Sequence, residues 1–260
     1  MLRSPGGKYK ARKLIHSLAP LAYREFRESF LGGCNLIWDI PDDKAIWIND
    51  ANPLIIRYFE AIRDDPDFID SMMQLKKRLI TNEQKRTEFM AAKARLALTF
   101  DPLSFWLVNR YAAQAIVSLN RKDIASFASV FIRDGLDTVT RAKMERLRSI
   151  LRRPNCTITC GDYAPLLEAP GDGVWLVLDP PYLMDHRNSP IYEYYMDEAE
   201  HVTLSRRLKS CEHKWLMTIG DCRISRDLYR GFRMRHRRYT GSMPHRTPDR
   251  NRTELIVMNY

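Results

Sequence analysis

Cysteine and glycine are scarce in this 260-residue chain, at 5 and 11 residues. Cys34, Cys156, Cys160, Cys211 and Cys222 show no dense spacing, which excludes a disulfide-built scaffold and fits a reducing compartment. Nor is a disulfide framework needed, since a chain of this length buries about three quarters of its unfolded surface. No apolar run approaches the roughly 20 residues that span a bilayer. The start of the chain, residues 1–8, lacks the apolar stretch of a secretory signal. The expectation is a cytosolic protein without membrane contact. Metal-ligand spacing is also missing: Cys156 and Cys160 flank a strand-like stretch with no paired histidine, so no metal is expected. The GxxxxGK[ST] pattern of a phosphate-binding loop does not occur.

Basic residues, by contrast, are in excess. Lys and Arg number 42 against 32 Asp and Glu, a net charge of +10. The excess is segregated: residues 66–155 hold 17 basic and 9 acidic side chains, and residues 223–252 hold 10 arginines and 2 aspartates. The remainder is therefore acidic. Two basic segments on an acidic body fit a polyanion held between them.

Strand-like and helical stretches alternate at both ends of the chain. A helix is expected near residues 10–18, and a strand through Phe26 and Phe30 runs into Gly32-Gly33. A second strand, residues 45–48, ends at Asn49-Asp50, and Pro53 opens a helix. From Pro66 to Pro154 apolar residues recur at three and four, with Gly135 the only glycine, which reads as helical. Strands then return at 157–159, 174–178, 214–218, 232–239 and 255–258, with a helix over 201–210. The expected fold is α/β, a parallel Rossmann-like sheet with helices on both faces. Residues 1–65 and 155–260 would form the sheet domain, and residues 66–154 an inserted helical module.

The sharpest chemical signal is Asp179-Pro180-Pro181-Tyr182, directly after the apolar run Val174–Leu178. Ligands of open α/β sheets bind at the carboxyl ends of strands. Two prolines stiffen the backbone, remove two N–H donors and leave carbonyls free to accept. The Asp179 carboxylate and the Pro180 carbonyl can take the two N–H bonds of an amino group on a flat ring, while Tyr182 stacks on its face. Asp50, at another strand end, suits the hydroxyls of a ribose.

These pieces, in their order, resemble the Dam-like DNA adenine N6-methyltransferase family. Pro5-Gly6-Gly7-Lys8-Tyr9 is similar to its N-terminal element, and Phe30-Leu31-Gly32-Gly33-Cys34 to its glycine loop, with Cys34 where the family usually has glycine. Asn49-Asp50-Ala51-Asn52, Gly161-Asp162-Tyr163, Asp179–Tyr182 and Thr253-Glu254-Leu255-Ile256 follow in family order. Over the helical insert the match is limited to Asn109-Arg110.

The resemblance implies S-adenosylmethionine as methyl donor, released as S-adenosylhomocysteine. Gly32, Asp50 and Asp162 would hold its methionine, ribose and adenine parts, with Ser4, Lys8, Tyr9, Phe30 and Asp179 completing that site. Asp179, Pro180, Pro181 and Tyr182 would receive a flipped adenine of double-stranded DNA, and residues 66–154 would read bases. Arg110, Arg121, Lys122, Arg246, Arg250 and Arg252 are the candidate DNA contacts. A companion restriction endonuclease and the cytosol of a bacterium or phage-infected cell complete the implied setting. N4 of cytosine is the alternative amine, and a catalytically silent nucleic-acid binder the alternative class. Cytosine C5 chemistry is unsupported, because no cysteine follows a proline here.

Overall fold

In a computed structural model of the chain, the strands assemble into a seven-stranded sheet with helices on both faces. Residues 2–4, 7–115, 117, 125–127, 135–183, 195–240 and 251–260 are described. The strands are β1 (Glu25–Glu28), β2 (Ala45–Asp50), β3 (Cys156–Cys160), β4 (Val174–Leu178), β5 (Lys214–Gly220), β6 (Arg233–Thr240) and β7 (Asn251–Met258). Their order across the sheet is β3-β2-β1-β4-β5-β7-β6. Strands β1 to β5 pair in parallel, whereas β7 runs antiparallel to both β5 and β6. The Rossmann-like sheet expected from sequence is thus present, with an antiparallel hairpin added at one edge. Residues 241–250 are too few for a crossover, so β6 and β7 must pair as a hairpin.

The continuous apolar character of β4 reflects burial on both faces. Trp175 and Val177 point into one core with α1 (Arg12–Ser17) and α2 (Pro53–Asp64). Val174, Leu176 and Leu178 point into the other, against α7 (Ala164–Glu168) and α8 (Glu198–Ser210). The segment 66–154 contributes α3 (Phe68–Arg78), α4 (Asn82–Thr99), α5 (Pro102–Tyr111) and α6 (Arg141–Leu151). Their buried residues, Phe89, Trp106 and Leu147 among them, continue the first core without a break.

Local chemistry sets the helix starts. Asn52 accepts from the Leu54 amide at 2.9 Å and Pro53 takes the first helical position of α2. Asp101 and Pro102 do the same for α5. At α8 a reciprocal cap joins Asp197 to Glu200, so the helix starts at Glu198, earlier than the apolar spacing indicates. Among the described residues, no helix is long and apolar enough to cross a membrane.

The sheet order reverses between β1 and β4, because their connections leave toward opposite sides. A crevice at the carboxyl ends of these two strands is where this topology places a ligand.

Candidate active site

The end of β2 organises the glycine loop. Asp50 accepts the Gly32 amide on one carboxylate oxygen at 2.8 Å and the Asn52 amide on the other at 2.9 Å. Gly32 has φ +49°, a region that favours glycine, and an added Cβ would meet the Ser4 hydroxyl at 3.2 Å. Cys34 also takes a left-handed conformation, φ +54°, with its side chain buried and its carbonyl accepting the Trp38 indole N–H. Asn49 ties three strand ends together by donating to the carbonyls of Ser29 and Gly161. Beyond β3, Asp162 accepts the Ala164 amide at 2.6 Å, and the rings of Phe30 and Tyr163 meet at 5.3 Å.

Asp179 lies at the end of β4, held from two sides. The hydroxyl of Thr218, buried on β5, donates to its Oδ1 at 2.7 Å, and the Lys8 ammonium approaches the same oxygen at 2.7 Å. Lys8 is itself buried and donates to the Tyr182 hydroxyl at 2.9 Å. That hydroxyl donates to Glu254 Oε2 at 2.9 Å, and Arg237 pairs with Glu254 Oε1. Burial, then the Asp179 and Glu254 charges, push the Tyr182 phenol well above its ordinary value.

A third carboxyl completes the crevice. Glu28, at the end of β1, is buried, and its Oε2 has no hydrogen-bond partner among the described residues. Burial first, then the nearby Asp179 and Asp50, push its pKa well above the ordinary carboxylate range, with Lys8 opposing. Asp50 is also raised by burial, against the pull of its two amide donors. Glu28, Asp50 and Asp179 crowd the strand ends with Lys8 among them as a cation. Such a site favours a ligand carrying positive charge.

The sequence profile of the D12 class N6 adenine-specific DNA methyltransferases matches residues 4–243. The chain belongs to that family. It is a DNA methyltransferase acting on adenine N6, and the N4-cytosine alternative is not favoured. Type II methyltransferase M1.LlaDCHI of Lactococcus lactis subsp. cremoris is 23% identical over 272 residues, covering 98% of this chain and 93% of its own length. Among solved structures, precorrin 8w decarboxylase of Methanobacterium thermoautotrophicum aligns with all of this chain and 93% of its own, at 11% identity and a TM-score of 0.42.

In the methyltransferase, Ser4, Lys8, Gly32, Asp50, Asp179 and Tyr182 gather at the carboxyl ends of β1, β2 and β4. Pro180 and Pro181 form the turn that leaves β4, and Phe30 and Asp162 lie toward β3. Tyr9 stands apart: its ring is 67% exposed and rests against the Arg12 guanidinium. Arg110 requires a correction as a DNA contact. Its side chain is buried, and its guanidinium donates to the Gly135 carbonyl and the Thr138 hydroxyl. Burial pulls its pKa down to about 10. Its neighbour Asn109 exchanges hydrogen bonds with the backbone of Arg3, docking the N-terminal segment on α5. Arg121, Lys122, Arg246 and Arg250 lie outside the described residues, as does the Arg252 side chain. Among the described residues no cluster of three or more His, Cys, Asp or Glu could hold a metal ion.

Sequence reasoning did not single out Glu28 or Thr218. It read Arg237 only as one of a basic stretch, residues 233–239, suited to phosphates, whereas its guanidinium pairs with Glu254. Glu28 carried one usable signal, an acid in the strand sequence Phe-Arg-Glu just before the glycine loop. Thr218 sits in an apolar strand and carried none.

Proposed function

We propose that this methyltransferase takes its methyl group from S-adenosylmethionine and delivers it to the exocyclic amine of an adenine flipped out of double-stranded DNA at a specific site. The observation that carries this reading is the Asp179-Pro180-Pro181-Tyr182 turn at the β4 end, with the Asp179 carboxylate fixed by Thr218. The cofactor fit rests on the three carboxyls: a molecule bearing a sulfonium and an ammonium matches a buried acidic crevice with a Glu28 oxygen that has no partner among the described residues. When bound, S-adenosylmethionine supplies an electrophilic methyl group. Asp50, Gly32 and Glu28 would hold it near β1 and β2, with Asp162 and Phe30 toward its adenine.

The protein's own part is orientation and electrostatics. An exocyclic adenine nitrogen is a weak nucleophile because its lone pair is delocalised into the ring. Asp179 and the Pro180 carbonyl accept its two N–H groups and favour a tetrahedral nitrogen whose lone pair leaves conjugation with the ring. The methyl–sulfur bond breaks as the methyl–nitrogen bond forms, and one N–H proton leaves the methylated nitrogen through Asp179, without a covalent intermediate. The amine takes the place on Asp179 that the Lys8 ammonium holds at 2.7 Å. Tyr182 flanks the base, at an unstacking cost of a few kcal/mol to the DNA.

Residues 66–154 are assigned to target recognition. Exposed Arg235 and Arg238 on β6 track phosphates, a term that weakens steeply with salt. The Type II designation of the Lactococcus relative favours a role beside a restriction endonuclease, in a bacterial or phage-infected cytosol. The test is product chemistry: methyl-labelled S-adenosylmethionine, unmethylated mixed-sequence duplex DNA, digestion to nucleosides and mass spectrometry. Label in N6-methyladenosine with wild type, and none with Asp179→Ala, is expected. Label in N4-methylcytosine overturns the substrate, and label in no nucleoside overturns the reading.

A further inference from the structure

Two successive prolines deny the turn after β4 any backbone N–H, so neighbours can hold its main chain only through its carbonyls. The Pro181 carbonyl lies 2.9 Å from Nε2 of His201, in the first turn of α8. A carbonyl only accepts, so Nε2 carries the proton and Nδ1 is the bare nitrogen. Nδ1 is buried and has no partner among the described residues. The side chain has no exposed surface at all.

A histidine in this position is unfavourable as mere core filling. A leucine or phenylalanine would fill the space without stranding a buried acceptor. Burial also pushes the imidazole pKa below its ordinary value, opposed by the Pro181 bond and the Glu200 and Asp197 charges, which favours the neutral ring with its one N–H. The helix that carries it is fixed locally. The Asp197–Glu200 cap closes the first turn, the His201 amide donates to the Asp197 carbonyl at 3.1 Å, and Ser205 bonds the Leu228 carbonyl at 3.0 Å. Thr218 on Asp179 and His201 on Pro181 therefore bracket Pro180 from both sides.

We infer that His201 is a positioning residue for methyl transfer: its Nε2–H anchors the Pro181 carbonyl and so aims the Pro180 carbonyl and the Asp179 carboxylate at the target amine. This rests on the reading of residues 179–182 as the amine-binding turn. His201 touches neither substrate nor methyl donor, so its loss acts on kcat and leaves donor binding in place.

The test compares His201→Phe, which fills the space without a donor, with His201→Gln, whose amide nitrogen falls near the Nε2 position. Full-length protein, labelled S-adenosylmethionine and unmethylated duplex DNA are used throughout. For His201→Phe, kcat is expected to fall about 10- to 100-fold, the cost of a small misplacement at a reacting centre. The calorimetric Kd for S-adenosylmethionine should stay within about twofold, since rate and binding losses separate when only orientation is disturbed. His201→Gln should recover most of the rate. Wild-type kcat in His201→Phe, or equal loss in both variants, overturns the proposal. In case His201→Phe does not fold, nitrogen NMR of wild-type protein gives the second readout. A neutral ring protonated on Nε2 near pH 7 supports the proposal, and protonation on Nδ1 overturns it. Wild-type protein that makes no N6-methyladenine overturns the reading of the turn itself, an outcome distinct from any difference between variants.

Discussion

The bond between the Tyr182 hydroxyl and Glu254 can be measured by a double-mutant cycle. Glu254 is 2% exposed and accepts from two donors, the phenol at 2.9 Å and Arg237, with the Lys8 ammonium 3.8 Å away as a second cation. Tyr182→Phe removes the phenol but leaves the carboxylate with both cations. Glu254→Gln keeps an acceptor oxygen and removes the charge. A hydrogen bond to a charged group contributes about 1.5–3 kcal/mol, a neutral one about 0.5–1.5. Changing Glu254 in the presence of the hydroxyl should therefore cost about 1–1.5 kcal/mol more than changing it in its absence. Urea unfolding of wild type, both single variants and the double variant gives that coupling directly, with the denaturant slope checked for constancy. Uncoupled sites add to within about 0.5 kcal/mol. A coupling below that value would mean that the phenol does not rest on Glu254 in solution, and Tyr182 would then be free to turn toward the crevice mouth.

On the proposed reading, Glu28 links donor binding to protons. Burial and the nearby Asp179 and Asp50 raise its pKa well above the usual range, and a cationic ligand favours its ionised form. Affinity for S-adenosylmethionine should therefore rise, by at most about tenfold per pH unit, as pH climbs from the ordinary carboxylate range toward the raised value. Calorimetry in buffers of different ionisation heat should count the proton released, and an unchanged count in Glu28→Gln would reject the assignment. Stability without ligand has the opposite sign: the folded state binds the extra proton, so stability falls as pH rises across the same window. Gly32→Ala should cost about 1–2 kcal/mol from its left-handed φ and crowd the Ser4 hydroxyl at 3.2 Å. Weaker donor binding by calorimetry is the expected result. Arg110→Met should lower stability by about 2–3 kcal/mol, because the Gly135 and Thr138 oxygens lose their donor. The salt dependence of DNA binding should not change, whereas Arg238→Ala should reduce the slope of log K against log salt by about 0.9.

The fold was legible because its signals are local. An all-apolar pentapeptide buried on both faces, Val174–Leu178, marks a central strand by itself. An Asn-Pro or Asp-Pro pair opening an amphipathic run marks a helix start, as at Asn52 and Asp101. The antiparallel edge was not legible, since strand direction is a property of the connection rather than of the strand. Arg110 shows the same limit for charge. An arginine in a basic segment reads as a surface contact, but helix α5 is buried around it, and its guanidinium is engaged by a turn 25 residues further on.

The site itself divides along the same line. That Asp50, Asp179 and Tyr182 stand at strand ends was legible, because strand ends and proline pairs are local features. What fixes them comes from remote segments: Lys8 reaches Asp179 from the N-terminal element, Thr218 from the neighbouring strand, and Glu254 reaches Tyr182 from the final hairpin. Register explains why Glu254 is there. It pairs with Gly220 on β5 and with Arg237 on β6, and Gly220 has no side chain to fill the space that the Tyr182 ring occupies. A Cβ at Gly220 would meet that ring at 3.3 Å and the Leu183 carbonyl at 3.2 Å. The tyrosine is thus held by packing against one strand and hydrogen bonding to the next, both beyond its own sequence neighbourhood. The electrostatics follow from the same convergence. Parallel strands bring Glu28, Asp50 and Asp179 to one edge, and their mutual repulsion raises the Glu28 pKa and is offset by burying Lys8 beside Asp179. On the proposed reading both effects reverse on binding: a cation beside Glu28 would displace a proton, and an amine on Asp179 would displace the Lys8 ammonium. A crevice with these two responses suits one sulfonium-bearing and one amine-bearing partner, as transfer of a methyl cation between them requires.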